Sequence, residues 1–173
     1  VEELAWKEID KSSAYFGEII TAKGNFISGK DYMVFNQNDD MLGIYTASSG
    51  VLKIEITNLF ANINKLKIGY PYKQDKDKII PYTQTFVSKG FTFDTFYPKK
   101  GMKGDILTIE GRGIAYAEEF LLGDQVLTPI IINKNKVTFS IPSIQGVGKM
   151  RINYKYNNEY YQSNEYFEVY EPN

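Results

Sequence analysis

Alternation of apolar and polar positions is the clearest signal in the chain. Val51-Leu-Lys-Ile-Glu-Ile56 puts Leu52, Ile54 and Ile56 on one side and Lys53 and Glu55 on the other, the two-residue period of a half-buried strand. Leu66-Lys-Ile-Gly-Tyr70 keeps that period, and Tyr32-Met-Val-Phe35 reads as a strand with Met33 and Phe35 inward. Gly17 to Ala22 is a strand ending at Gly24, a short strand lies around Ile44-Tyr45, and Tyr82 to Val87 closes this run. Further strands are expected over Phe91–Tyr97, Asp105–Glu110, Glu119–Leu122, Ile130–Ile132, Lys136–Ile141, Lys149–Tyr156 and Tyr161–Tyr170. Their inward candidates are Leu107, Ile109, Val137, Phe139, Ile141, Met150, Ile152, Tyr154, Phe167 and Val169. Asn36-Gln-Asn-Asp-Asp40 reads as a turn and Asp75-Lys-Asp-Lys78 as a charged hairpin tip.

The pattern occurs twice. Gly17-Glu-Ile-Ile-Thr-Ala-Lys-Gly24 matches Gly104-Asp-Ile-Leu-Thr-Ile-Glu-Gly111, a spacing of 104 − 17 = 87 residues. Extended backwards, the same spacing pairs Leu4 with Phe91, Trp6 with Phe93 and Ile9 with Phe96; forwards, it pairs Ile27 with Ile114 and Met33 with Phe120. It drifts to 137 − 52 = 85 at the fifth strand and 152 − 68 = 84 at the sixth, as loop insertions between preserved strands require. Residues 1–13 have helical propensity, but their partners around Phe91–Pro98 are strongly β, so both are read as first strands. The fold class is therefore all-β: two tandem immunoglobulin-like β-sandwiches of about seven strands each, over 1–88 and 89–173. The join Val87-Ser-Lys-Gly90 is too short for a floppy linker, and a semi-rigid rod is expected.

Composition narrows the function classes. The 173 residues contain no Cys and no His, which excludes disulfides, thiolate nucleophiles, Cys/His zinc sites and His-based triads. Twenty basic and 21 acidic side chains are interspersed for a net charge of −1, so no nucleic-acid partner is expected. Val1 in place of Met is what a processed or excised chain would show, and any membrane attachment is expected through an anchor outside this segment.

Pro98-Lys-Lys-Gly-Met-Lys-Gly-Asp-Ile-Leu-Thr-Ile-Glu-Gly-Arg-Gly113 resembles the opening of an IPT/TIG domain, with its Pro-x-x-Gly-x-x-Gly start, apolar-Thr-Ile strand and glycine turn. Leu122-Gly123 and Val137-Thr-Phe-Ser-Ile-Pro142 also resemble that family, and the likeness spans about residues 91–170. The first copy resembles it only through the second. Lys11 stands for Pro98, Ala14 for Gly101 and Thr57 for Pro142, whereas Phe26 keeps the family's usual Phe where the second copy has Gly113. The resemblance implies an early-set immunoglobulin-like fold. Such domains occur in plexin-type receptors, Rel-type transcription factors, beside glucanotransferase domains, and as spacers in Bacteroidota outer-membrane glycan-binding lipoproteins.

Candidate chemistry is sparse. The carboxylate pairs Glu2/Glu3, Asp39/Asp40 and Glu118/Glu119 are adjacent residues that point apart on a strand, not across a cleft. Asn36–Asp40 lacks calcium-loop spacing and is explained by its turn, and the glycine motifs lack a phosphate loop's Gly-Lys-Ser/Thr. Only the tyrosines are enriched. Tyr166 and Tyr170 should face outward opposite Phe167 and Val169, and with Tyr161, Asn157, Asn158 and Gln162 they form the candidate glycan-binding set, rings for stacking and amides for hydrogen bonds. The expected function is a non-catalytic spacer and interaction module of a larger extracytoplasmic surface protein, assisting glycan capture. Accessory domains of a polysaccharide-active enzyme, or an adhesin segment, are the alternatives. A monomer with no cofactor and no metal is expected, its partner a polysaccharide or a surface protein.

Overall fold

The structure, a computed structural model, describes residues 6–69, 80–144 and 146–171. The expected hairpin tip at 75–78 and the first five residues lie outside them. The chain divides into two compact units, Val1–Gly90 and Phe91–Asn173.

The N-terminal unit holds β1 (Trp6–Ile9), β2 (Ser13–Ala14), β3 (Ile19–Gly24), β4 (Asp31–Phe35), β5 (Met41–Thr46), β6 (Val51–Glu55), β7 (Ile63–Gly69) and β8 (Ile80–Ser88). They form one sheet ordered β1-β3-β6 and another ordered β2-β8-β7-β4-β5. The C-terminal unit holds β9 (Thr95–Tyr97), β10 (Lys100–Gly101), β11 (Ile106–Glu110), β12 (Glu119–Leu122), β13 (Gln125–Val126), β14 (Pro129–Asn133), β15 (Lys136–Ser140), β16 (Gly148–Tyr156) and β17 (Glu159–Val169). Its sheets are ordered β14-β15-β11-β9 and β10-β17-β16-β12-β13. The chain is all-β with two immunoglobulin-like sandwiches. Among the described residues each unit has more than seven strands, because two-residue pieces (β2, β10, β13) join the longer ones. β2 and β10 each run parallel to the last strand of their unit. Alternation cannot be read from two residues, so these pieces are invisible in sequence.

The repeat extends into register. Ile20 faces Ile54 and Ala22 faces Leu52 across β3–β6; Leu107 faces Phe139 and Ile109 faces Val137 across β11–β15. All eight side chains are buried. The turns before β3 and β11 match atom for atom in hydrogen bonding. Gly17 and Gly104 have φ of 85° and 91°, a conformation that glycine alone adopts freely. Gly104 N donates to Ile141 O (2.9 Å) and Gly17 N to Ile56 O (2.6 Å). The next residue's carboxylate accepts the amide three positions back, Met102 N to Asp105 Oδ2 at 2.9 Å and Tyr15 N to Glu18 Oε1 at 2.7 Å.

Two groups of expectations are corrected. Met33 and Phe35 are not the inward pair: Tyr32 and Val34 are fully buried, and Met33 and Phe35 only half-buried. Ile27 likewise is not the counterpart of Ile114, for it is 50% exposed while Phe26 is buried. The cause is one extra residue in the second glycine turn, Gly111-Arg-Gly-Ile114 against Gly24-Asn-Phe26. Beyond it the offset is 114 − 26 = 88, matching Tyr32 to Phe120 and Val34 to Leu122, and a one-residue slip sends every side chain to the other face. Second, the strand expected over Phe91–Tyr97 is paired only from Thr95. Before that, the chain crosses the end of β11 by Thr92 N to Arg112 O (2.8 Å) and Asp94 N to Glu110 O (2.9 Å).

The C-terminal core joins both sheets: Leu107, Ile109, Val137 and Phe139 from one, Phe120, Leu122, Ile152, Phe167 and Val169 from the other. Met150 and Tyr154 pack against it only partly buried. At roughly 1.5–3 kcal/mol for each large apolar side chain buried, such a core is the main stabilising contribution in the unit.

Candidate functional site

The six candidate residues lie on the β16–β17 hairpin. Its two-residue turn, Asn157-Asn158, has φ of 54° and 62°, the left-handed pair that fits the strand twist and that Asn tolerates. Near the turn the register is regular, Tyr156 with Glu159, Tyr154 with Tyr161 and Asn153 with Gln162. A bulge follows, and Arg151 lies opposite Tyr166. Buried Ser163 holds it, accepting from Ile152 N (3.0 Å) and donating to Glu165 O (2.7 Å).

The hairpin does not gather the six residues into one surface. Tyr166 and Gln162 lie on the outward face, opposite buried Phe167 and Ser163. Tyr170 follows the strand, exposed, its amide on Gly101 O (3.1 Å). Tyr161 is on the inward face and ends a ladder of rings: Phe93 stacks on Tyr154 (5.0 Å, 14°), and Tyr154 on Tyr161 (5.6 Å, 21°). Phe91 meets Tyr154 and Tyr156 edge-on. Asn157 and Asn158 form the tip, six positions along β16 from Tyr166's partner Arg151, or about 20 Å.

The outward face includes residues that the sequence reading did not select. The Arg151 guanidinium lies 4.4 Å from the Tyr166 ring centroid and donates to Tyr166 Oη (3.1 Å), Ser163 O (2.7 Å) and Asn164 O (3.3 Å). Asn153 Nδ2 donates to Gly123 O (2.6 Å). Tyr160 is exposed, beside Lys155 Nζ (5.7 Å) and bonded to Glu119 Oε2 (3.2 Å). Counting outward from the turn would have set Arg151 opposite Asn164; the bulge brings Tyr166 there instead.

The groups whose titration is shifted are not moved toward pH 7. The Glu159 carboxylate, accepting its hydroxyl at 3.1 Å, holds the Tyr161 pKa up. Burial raises Tyr154, and burial with the Glu118 charge raises Tyr156. On the other sheet, hydrogen bonds from Tyr97 and Lys136 depress Glu110. Each shift moves its group away from neutrality, the opposite of what an acid or base working near pH 7 requires. Side-chain oxygens of Asn36–Asp40 are engaged in the turn and with β7: Asn36 Oδ1 accepts from Asn38 N and Asp40 N, Gln37 Oε1 from Lys65 N (3.0 Å) and Asp39 Oδ1 from Lys67 Nζ (2.8 Å). Glu118 and Glu119 accept from Asn157 N and Tyr160 Oη. What remains chemically is a display of rings, amides and one guanidinium.

The family model of the IPT/TIG domain matches residues 92–169. The C-terminal unit is an IPT/TIG domain. No curated protein matches the chain by sequence. Among solved structures, the extracellular region of plexin A4 is 12% identical over 95% of this chain and 18% of its own, with a TM-score of 0.49. The SGBP-B protein of a Bacteroides uniformis xyloglucan utilization locus is 10% identical over 96% and 49%, TM-score 0.43. A surface glycan-binding protein of Prevotella bryantii is 16% identical over 96% and 42%, TM-score 0.43. The chain thus spans less than half of each of these proteins.

Proposed function

We propose that this chain is a non-catalytic spacer and interaction module of a larger extracytoplasmic surface protein, and that its N-terminal unit is a diverged copy of the IPT/TIG domain that follows it. The observation that carries the reading is where the motif residues are used. Gly104, Asp105, Gly111 and Ile141 are all engaged in turns and core, so the most recognisable residues build the sandwich and serve no ligand. Apart from β14, which among the described residues has no counterpart in the three-stranded sheet of the N-terminal unit, the two units share sheet order, and their β3–β6 and β11–β15 registers agree, which supports the diverged-copy reading.

The help in glycan capture rests on the outward face of β16–β17. Tyr166 offers an exposed ring packed against the Arg151 guanidinium, and Gln162 and Asn153 offer amides on the same face. A ring stacked on a sugar contributes on the order of 1 kcal/mol beyond area burial. Two rings and a few hydrogen bonds correspond to millimolar to high-micromolar affinity, useful on a surface that presents many copies. Titration of soluble neutral polysaccharides into the intact chain and into Tyr166→Ala/Tyr170→Ala tests this. Millimolar binding lost in the double variant is the expected result. Equal binding by both would remove the tyrosine face, and no binding at all would leave the spacer role alone.

A further inference from the structure

β14 is the edge of its sheet, paired with β15 on one side only among the described residues. All five of its residues are exposed. Ile130, Ile131 and Ile132 are 54%, 63% and 65% exposed. Single exposed apolar residues are ordinary, but three in succession on an open edge are a pairing template. Ile131 N points toward β15, donating to Thr138 Oγ1 at 3.1 Å, so alternation turns the Ile132 amide outward.

Beside this edge lies an open groove of about 610 Å³, with Pro129 and Ile132 on one wall and Phe120, Leu127 and Val137 beneath. Its acidic lining residues, Glu118 and Glu119, are hydrogen-bonded to Asn157 and Tyr160. An apolar side chain can therefore enter without stripping a bare carboxylate of its partner.

We propose that β14 docks an extended peptide segment of another protein, with aliphatic side chains at alternate positions, which adds as a new strand and seats one side chain in the groove. The outward backbone groups of an edge are satisfied by a strand and not by a helix or a flat surface. A second copy of this chain fits less well. Five residues a side fall well short of the roughly 1,200 Å² of a stable interface between two folded copies. A peptide does not need that area for weak, reversible binding. This inference does not depend on the glycan reading.

The test uses the intact ¹⁵N-labelled chain and a capped peptide with the β15 sequence Lys-Val-Thr-Phe-Ser-Ile, which already pairs with β14 from the other side. Two derivatives are N-methylated at alternate residues, one in each phase. Shifts confined to Ile130–Asn133 and the groove, saturating below millimolar peptide, are expected. One N-methylated derivative should bind at least tenfold more weakly, as should the parent peptide to Ile132→Pro. Ile130→Lys/Ile132→Lys, which keeps the backbone intact, should also lose at least tenfold and decides the matter if the proline variant does not fold. The proposal is overturned if both methylated peptides bind like the parent, or if nothing binds at millimolar peptide. It is equally overturned if β14 signals instead move with protein concentration alongside dimer sedimentation, which would make the occupant a second copy.

Discussion

Gly111→Ala should destabilise the C-terminal unit far more than Gly104→Ala, although both glycines belong to the same motif. At Gly104 the backbone is left-handed, φ 91°, but an added Cβ meets nothing within 4 Å. The cost is backbone strain alone, about 1–2 kcal/mol. At Gly111 the backbone is ordinary and the space is not. A Cβ there would overlap the Thr92 carbonyl oxygen and lie 2.7 Å from its carbon and 3.3 Å from Asp94 N. Those are main-chain atoms, held by Thr92 N to Arg112 O (2.8 Å), Arg112 N to Thr92 Oγ1 (2.8 Å) and Asp94 N to Glu110 O (2.9 Å). Moving the segment breaks about two of these bonds at roughly 1 kcal/mol each, and residual overpacking adds about 1–3 kcal/mol. The expected loss is about 3–5 kcal/mol. At about 4–8 °C per kcal/mol for a domain of this size, Gly104→Ala lowers the transition by about 4–16 °C and Gly111→Ala by at least about 12 °C. The two units need not melt together, so the readout is thermal and urea unfolding followed on amide signals of Leu107 and Ile152. Equal losses for the two variants, or a loss below about 1 kcal/mol for Gly111→Ala, would refute the close-approach account.

Other expectations follow from the same geometry. Asp105→Ala and Glu18→Ala each remove the carboxylate that accepts the amide three residues back. Each should cost its own unit about 0.5–1.5 kcal/mol in urea unfolding, and a response in only one unit would contradict the equivalence of the turns. Glu110 titrates below its ordinary 4.5, first because Tyr97 donates to it and then because of Lys136. Its interactions are therefore complete above the ordinary carboxylate range and are lost as pH falls through the depressed value. A ¹³C titration of Glu110 Cδ should show this, with Tyr97→Phe returning the midpoint toward 4.5; an unmoved midpoint would mean that the hydroxyl is not the main cause.

The exposure of two candidate tyrosines was legible. Exposure of Tyr166 and Tyr170 followed from the burial of Phe167 and Val169, since residues one apart on a strand face opposite ways. The partners were not legible. Which β16 side chain meets Tyr166 depends on the bulge held by Ser163, and bulges form where two strands fit the twist of a sheet, not where one strand's pattern changes. Tyr161 was separated from its sequence neighbours by the same alternation, and its ring went to Tyr154, whose other stacking partner, Phe93, lies more than sixty positions before it in the chain.

The sequence by itself determined the properties that repeat over short distances. Period-two alternation placed Leu52, Ile54, Leu66, Ile68, Leu107, Ile109, Val137 and Phe139 in the cores, and the doubled Gly-acid-apolar-apolar-Thr motif marked two units with one plan. Tertiary structure alone decided which face Tyr32 and Met33 took, which sheet each two-residue strand joined, and that β14 was left as an open edge. The physical reason is parity and partnership. Alternation says that neighbours point opposite ways, but one residue more in the Gly111–Ile114 turn decides which of them points in. An edge, in turn, is defined by the strand that does not arrive.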